Sequence, residues 1–170
     1  MSCGVYLSAM DAIELLKDQH RLVEKLFAQI EKSKNGEKKQ ALFAELADNL
    51  AAHAAIEEEI FYPAAYAKQT KELLQEAVEE HLAVKRVLAD LLALAPDDES
   101  FDAKITVLKE QVEHHVKEEE GELFKKVKKE LDGEQLEALG TEMEDQFEAE
   151  MADDPSSKVP DQTDEAAPLR

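Results

Sequence analysis

Apolar residues recur along the first 131 positions at alternating steps of three and four, the spacing that lines one face of an α-helix. The first stripe reads Ile13, Leu16, His20, Val23, Phe27 and Ile30. The second is Phe43, Leu46, Leu50, His53, Glu57, Ile60 and Ala64; the third is Leu74, Ala77, His81, Val84, Leu88 and Leu91; the fourth is Phe101, Ile105, Leu108, Val112, His115 and Glu119. Breakers separate them: Ser33-Lys34-Asn35-Gly36 parts a helix over about 9–33 from one over about 37–66, and the stretch around Lys68 to Thr70 leads to a third over about 71–94. Ala95-Pro96-Asp97-Asp98 ends the third, and Ser100 or a neighbouring acid caps a fourth that runs to about residue 131. Four long helices with short connections specify an antiparallel up-down four-helix bundle, an all-α fold.

Beyond the bundle, Asp132-Gly133 ends the fourth helix. Leu136, Leu139, Met143 and Phe147 then give a short fifth C-terminal helix, about residues 134–151, with enough apolar surface to lean on the bundle's side. The expected organisation is a bundle over 1–131, an accessory helix over 132–151 and a tail over 152–170.

Composition sharpens the tail and narrows the partners. The formal net charge is −20 over 170 residues. Residues 132–170 hold 13 acidic and two basic side chains, more than half of that charge. Residues 152–170 carry three prolines, two serines and few large apolar groups, too little to offset the entropy of ordering, so an acidic disordered tail is expected. No basic stripe exists to neutralise phosphates, which argues against nucleic acid as a partner. No apolar run approaches a membrane span, and Met1 to Met10 lacks the basic start of a signal peptide. The single cysteine, Cys3, excludes an internal disulfide and a thiolate metal cluster, and a cytoplasmic location follows as the default.

The stripes contain the candidate chemistry. His53-Ala-Ala-Ile-Glu57 and His115-Val-Lys-Glu-Glu119 are two copies of His-x-x-x-Glu, each preceded by a lone histidine, His20 or His81, 33 or 34 residues upstream. Residues four apart share a helical face about 6 Å apart along the axis. All six positions replace core hydrophobes, and counting back and forward from the loops puts them at similar heights. One polar core site follows. An ionised glutamate buried without a partner costs several kcal/mol, and two of them beside four imidazoles would be relieved by a cation. The alternative is a metal-free polar network across the core, which would need every member fully hydrogen-bonded.

With His20 after Leu15-Leu16-Lys17-Asp18-Gln19 and His81 after Glu79-Glu80, the segments His53-x-x-x-Glu57-Glu58-Glu59-Ile60-Phe61-Tyr62-Pro63 and His114-His115-x-x-x-Glu119-Glu120-x-x-Leu123-Phe124 resemble the hemerythrin-like, His-His-Glu cation-binding domains. The likeness covers about residues 10–131, and the two halves also resemble each other, as a duplicated helix pair would. The resemblance implies a non-haem di-iron centre, with His20, His53, His81 and His115 as terminal nitrogen ligands and Glu57 and Glu119 as bridging carboxylates. Oxygen-carrying members place a further histidine one turn after the third-helix histidine. That position is Lys85 here, and Lys125 stands where the family often has proline.

Four histidines and two bridging carboxylates leave more positions for water, peroxide or oxygen than an oxygen carrier keeps open. Imidazole with carboxylate suits iron, manganese or zinc, and a bridged pair in a bundle favours iron or manganese, of which two iron ions are the expected cofactor. The expected function is to bind or sense dioxygen, nitric oxide or iron; the alternative is an enzyme that turns over hydrogen peroxide or oxidises ferrous iron. His114, about 100° from His115, reads as a boundary or supporting residue. Glu80 and Glu113 could orient imidazoles across helices but read as surface acids, and Tyr62 and Tyr66 as core-edge residues without a redox role.

Overall fold

The computed structural model describes residues 10–169; the start of the chain, including Cys3 and most of the segment inspected for a signal peptide, and Arg170 lie outside the described residues. Four helical rods make the bundle. The first is α1 (Ala12–Lys32), started by Asp11, whose carboxylate accepts the Ile13 and Glu14 amides at 2.8 and 3.0 Å. The second begins as α2 (Gly36–Ile56), with Asn35 accepting the Lys38 amide at 3.0 Å, and continues through a π-helical turn, Glu57–Phe61, into α3 (Tyr62–Ala65). The third is α4 (Lys71–Leu92). The fourth repeats the second's design: α5 (Phe101–Glu118), a π-helical turn at Glu119–Leu123, then α6 (Phe124–Glu130).

The π-turns were not expected from the stripes. A π-turn inserts one residue into the α-helical ladder, so the residue five positions on returns to the same face. Tyr62 N–H donates to the Glu57 carbonyl and Phe124 N–H to the Glu119 carbonyl. Both turns therefore start on a glutamate of a His-x-x-x-Glu motif and bring an aromatic ring onto that glutamate's face.

Two caps differ from expectation. Ser100 makes no side-chain cap; its amide and hydroxyl instead donate to Asp98 Oδ1 at 2.8 and 2.6 Å. Asp132 and Gly133 open the next helix, α7 (Gly133–Ala152), where Asp132 and Gln135 form a reciprocal capping box. Along α7, Leu136 and Met143 are buried and Leu139 and Phe147 half-buried against the bundle. Gly140 is required by a close approach, because a Cβ there would collide with the Met10 carbonyl and the Ala12 amide.

The tail departs from the expectation of disorder. After α7 the chain turns through Asp154, whose φ of 47° is left-handed, into a 3₁₀ segment at Pro155–Gln162. Val159 is 1% exposed and packs into the bundle. Ser156 N–H donates to Asp48 at 3.2 Å, and Arg86 donates to the carbonyls of Thr163 and Asp164 at 2.9 and 3.2 Å. Composition counted few apolar groups, but one valine in the right place and three hydrogen-bonded tethers hold the segment. Pro155 and Pro160 also reduce the entropy lost on ordering. Leu169, at the described end, is partly buried against the bundle as well.

The core forms two apolar clusters. One gathers Ile13, Leu16, Phe61 and Phe124 with the buried part of α7, and the other gathers Phe27, Leu46, Leu88 and Phe101 with Val159. Between them lies a polar layer. Among the described residues no helix is long and apolar enough to cross a membrane.

Candidate metal centre

The structure brings His20, His53, Glu57, His81, His115 and Glu119 together, all buried, Glu57 completely so. They form two sets that share a carboxylate: His20, His53, Glu57 and Glu119 in one, Glu57, His81 and His115 in the other. Glu57 divides its oxygens between them. Its Oε1 is 3.2 Å from His53 Nε2, while its Oε2 is 3.1 Å from His81 Nε2 and 3.9 Å from His115 Nε2. Glu119 Oε2 lies 3.3 Å from His20 Nε2 and 3.5 Å from His115 Nε2. Thus all four imidazoles turn Nε2 inward.

Every outward nitrogen is anchored. His20 Nδ1 pairs with Glu120 at 2.8 Å, His53 Nδ1 with Gln19 Oε1 at 2.6 Å, His81 Nδ1 with Glu58 at 2.9 Å and His115 Nδ1 with Glu80 at 2.6 Å. An acceptor at Nδ1 fixes the tautomer that leaves the Nε2 lone pair free, the arrangement that second partners impose on ligating histidines. The anchors follow the internal repeat. Glu58 and Glu120 each succeed a motif glutamate, and Gln19 and Glu80 each precede a lone histidine. Glu80 is therefore no ordinary surface acid, whereas Glu113 reaches only Lys109, at 3.9 Å. Gln19 was missed altogether, although aligning the two halves places it opposite Glu80.

Tyr62 was also misjudged. It is fully buried, and its hydroxyl lies 2.8 Å from Glu119 Oε1, 3.3 Å from Glu57 Oε2 and 3.2 Å from His81 Nε2. The π-turn after Glu57 puts it there, five residues on. Its counterpart Phe124 stacks beside His20, with centroids 6.1 Å apart. Tyr66, by contrast, is exposed.

His114 points outward, 3.2 Å from Glu80 and 3.4 Å from Glu118 on the surface. Lys85 is buried, but its ammonium donates to both Glu58 oxygens at 2.9 and 2.8 Å, so this nitrogen is committed to a carboxylate.

The electrostatics are those of a cation-poor nest. Burial works against an ionised Glu57, yet the imidazoles of His53, His115 and His81 hold its carboxyl well below the usual range. Burial likewise opposes charge on His115, but the Glu119 field and contacts with Glu57 and Glu80 raise it well above an ordinary histidine. His20 and His81 are raised in the same way, against burial, chiefly by Glu119 and Glu57 respectively. Burial, then the carboxylates of Glu119 and Glu57, push the Tyr62 phenol far up.

The donor set fits metal. His20 Nε2, Glu57 Oε1 and Glu119 Oε2 are buried without a hydrogen-bond partner, although each lies near a complementary group. Separations of 3.1–3.5 Å without hydrogen-bond alignment suit neighbouring ligands on a shared cation, since bonds of about 2.0–2.2 Å put adjacent donors roughly 3 Å apart. Protons can satisfy part of the nest, but three orphaned atoms remain at its centre.

Beside the imidazoles lies a cavity of about 40 Å³, walled by all four histidines, Gln19, Lys85 and otherwise apolar side chains. Val159 of the tail forms part of its wall. Glu57, Glu119 and Tyr62 are not among its lining residues, so the open space borders the imidazole side of the centre.

A helical bundle that buries two His-x-x-x-Glu motifs around shared carboxylates defines a cation-binding protein. The model of the hemerythrin HHE cation-binding domain matches residues 11–127, and the chain belongs to that family. A solved structure of a hemerythrin HHE cation-binding domain-containing protein from Mycobacterium kansasii is 29% identical, with a TM-score of 0.75, and the match covers 85% of this chain and 89% of that one. A protein named DNA nickase from Nostoc sp. (strain PCC 7120 / SAG 25.82 / UTEX 2576) is 31% identical over 133 residues, 78% of this chain. The chain spans only 38% of that relative's length.

Proposed function

We propose that the chain is a non-haem di-iron protein that binds or senses a small ligand, dioxygen, nitric oxide or iron itself. One observation carries the reading: all four Nδ1 atoms are anchored and all four Nε2 atoms face two central carboxylates. His20 and His53 would hold one iron, His81 and His115 the other, with Glu57 and Glu119 shared between them. Iron, when bound, supplies redox chemistry and open coordination positions. The chain supplies the rest: three carboxylates and the Gln19 amide fix the imidazoles, apolar clusters exclude bulk water, and the cavity admits only a small ligand. Mixed imidazole and carboxylate donors favour iron, with manganese next.

Lys85 favours a second reading, an enzyme that disproportionates hydrogen peroxide or oxidises ferrous iron. Its ammonium is held by Glu58 and offers no fifth nitrogen ligand, which leaves additional positions for a reactant. Oxygen evolution from peroxide well above that of free iron would select the enzyme; a stable, reversible ligand spectrum without turnover would select the sensor. Nicking is not carried over from the Nostoc relative, because the match spans 38% of it and this chain carries a net charge of −20. The proposed location is the cytoplasm.

Metal analysis and an ultraviolet-visible spectrum of protein from iron-supplemented cells test the proposal. About two irons per chain with oxo-bridged absorption are the expected result for such a site. A colourless, metal-free and fully stable protein would refute it.

A further inference from the structure

Three of the four imidazoles are anchored by carboxylates, Glu120, Glu58 and Glu80; only His53 is anchored by an amide. A carboxylate at position 19 would serve His53 as well, as Glu80 serves His115 at the matching place. The amide brings something more. Its Oε1 is used, at 2.6 Å from His53 Nδ1, but its Nε2 is buried with no hydrogen-bond partner. The orientation follows from the metal-binding reading: a cation on His53 Nε2 leaves the proton on Nδ1, which needs an acceptor and so takes the amide oxygen. A buried donor left unpaired costs about 1–3 kcal/mol, so two N–H bonds without a partner call for an occupant.

Gln19, 91% buried, lines the cavity beside the four imidazoles. The volume of about 40 Å³ suits a ligand of two or three heavy atoms, since a water-sized group needs about 10–15 Å³ on this measure. Charge in the wall points to the ligand's sign. Gln19 is neutral where the repeat has a glutamate, and Lys85 places an ammonium on Glu58, cancelling that carboxylate. Both features reduce the negative charge on the open side, while Glu57 and Glu119 lie outside the cavity wall.

We propose that Gln19 selects and positions the ligand of this centre, its side-chain N–H donating to a small anion of two or three heavy atoms seated in the cavity while its carbonyl holds His53. This rests on the ligand-binding reading above and names its ligand class. Gln19 is a positioning residue, acting on the seated ligand and on His53 from opposite ends of one amide. Peroxide-like anions fit; larger or strongly hydrated anions do not.

Azide added to the iron-loaded protein is the probe, read by its infrared stretch in H₂O and D₂O and by optical titration. Wild type should show a D₂O-dependent shift of the azide stretch. Gln19→Glu keeps an acceptor for His53 but loses the donor, and should retain both irons while losing that shift. Gln19→Met removes the donor without adding charge and should weaken azide about 10- to 100-fold, the range for a lost hydrogen bond to a charged group. If Gln19→Met loses iron through a misplaced His53, the isotope shift in Gln19→Glu decides alone. Retention of the shift in Gln19→Glu, or unchanged azide affinity in an iron-replete Gln19→Met, overturns the role of Gln19. Iron-loaded wild type that binds no azide overturns the ligand-binding reading itself, and this inference with it.

Discussion

Removing one oxygen from Tyr62 tests the placement that the sequence concealed. The hydroxyl donates to Glu119 Oε1 at 2.8 Å in a fully buried setting, with Glu57 Oε2 at 3.3 Å as a weaker second acceptor. In Tyr62→Phe the ring still packs, as Phe124 does at the matching position, so the loss is confined to hydrogen bonding. A hydrogen bond to a buried carboxylate is worth about 1.5–3 kcal/mol, and Glu119 Oε1 makes no other hydrogen bond among the described residues. For a chain of this size each kcal/mol moves the melting temperature by about 2–4 °C. The chelator-treated protein should therefore melt roughly 4–8 °C lower for a loss of about 2 kcal/mol. Circular dichroism melts and urea titration of wild type, Tyr62→Phe and Tyr66→Phe provide the comparison. Tyr66 is exposed and should change by less than about 0.5 kcal/mol. An apoprotein of Tyr62→Phe that melts with wild type would show that the phenol does not engage Glu119, and would undo the account of the π-turn as the device that delivers it.

The remaining predictions probe other layers. His115→Ala and Glu119→Ala should each lose at least one metal by elemental analysis, whereas His114→Ala should keep both; equal loss in all three would refute the separation of the inward and outward histidines. In the apoprotein, the raised His20, His81 and His115 stabilise the fold below the ordinary histidine value of 6.5, a contribution lost as pH rises through their higher folded values. The lowered Glu57, Glu58, Glu80 and Glu120 contribute above the ordinary value of 4.5, and that part is lost as pH falls through their folded values. Chelated protein should thus be most stable between about pH 5 and 6.5, and metal should remove the alkaline decline by replacing those protons. A melting temperature flat with pH in the apoprotein would contradict this. Val159→Asp should expose the 155–162 amides to hydrogen exchange and speed azide entry, at a cost of about 1.5–3 kcal/mol for the lost burial; unchanged protection would refute tail docking. Gly140→Ala should destabilise by about 1–3 kcal/mol through collision with the start of α1, with metal content preserved after refolding in the cold.

Most of the fold was legible because its signals are periodic and local. His20, His53, His81 and His115 could be placed in seams since each replaced a hydrophobe at a step of three or four. Tyr62 could not, because the same rule puts a residue five positions after Glu57 on the wrong face; only the π-turn reverses that. The tail was misread for a different reason. Average composition measures how much apolar surface a segment owns, whereas docking depends on whether one side chain, Val159, meets a prepared hollow and whether Asp48 and Arg86 receive the backbone. Glu80 and Gln19 lay between these cases. Their partners are 35 and 34 residues away, beyond any periodic rule, but the internal repeat already paired them with each other.

The repeat also explains why its own breaks carry information. Duplicated helix pairs make two half-sites whose equivalent residues face one another: Glu58 and Glu120 do the same work on His81 and His20, and Glu57 and Glu119 occupy matching starts of two π-turns. Packing and anchoring alone would let both halves keep the same side chains. At two places they differ. Phe124 becomes Tyr62, which sends a hydroxyl between Glu119, Glu57 and His81, and Glu80 becomes Gln19, which leaves an unpaired donor beside His53. Lys85 adds a third departure, relative to oxygen-carrying members rather than to the repeat, and it shares the cavity wall with Gln19. Since the two metal positions would start from equivalent donors, these substitutions make them unlike: a phenol engages Glu119 where the repeat has a plain phenyl ring, and an amide holds His53 where the repeat has a carboxylate. Asymmetry of that kind does nothing for storage of two equivalent cations. It is what a centre needs if a ligand is to arrive from one direction and meet the metals in a fixed orientation.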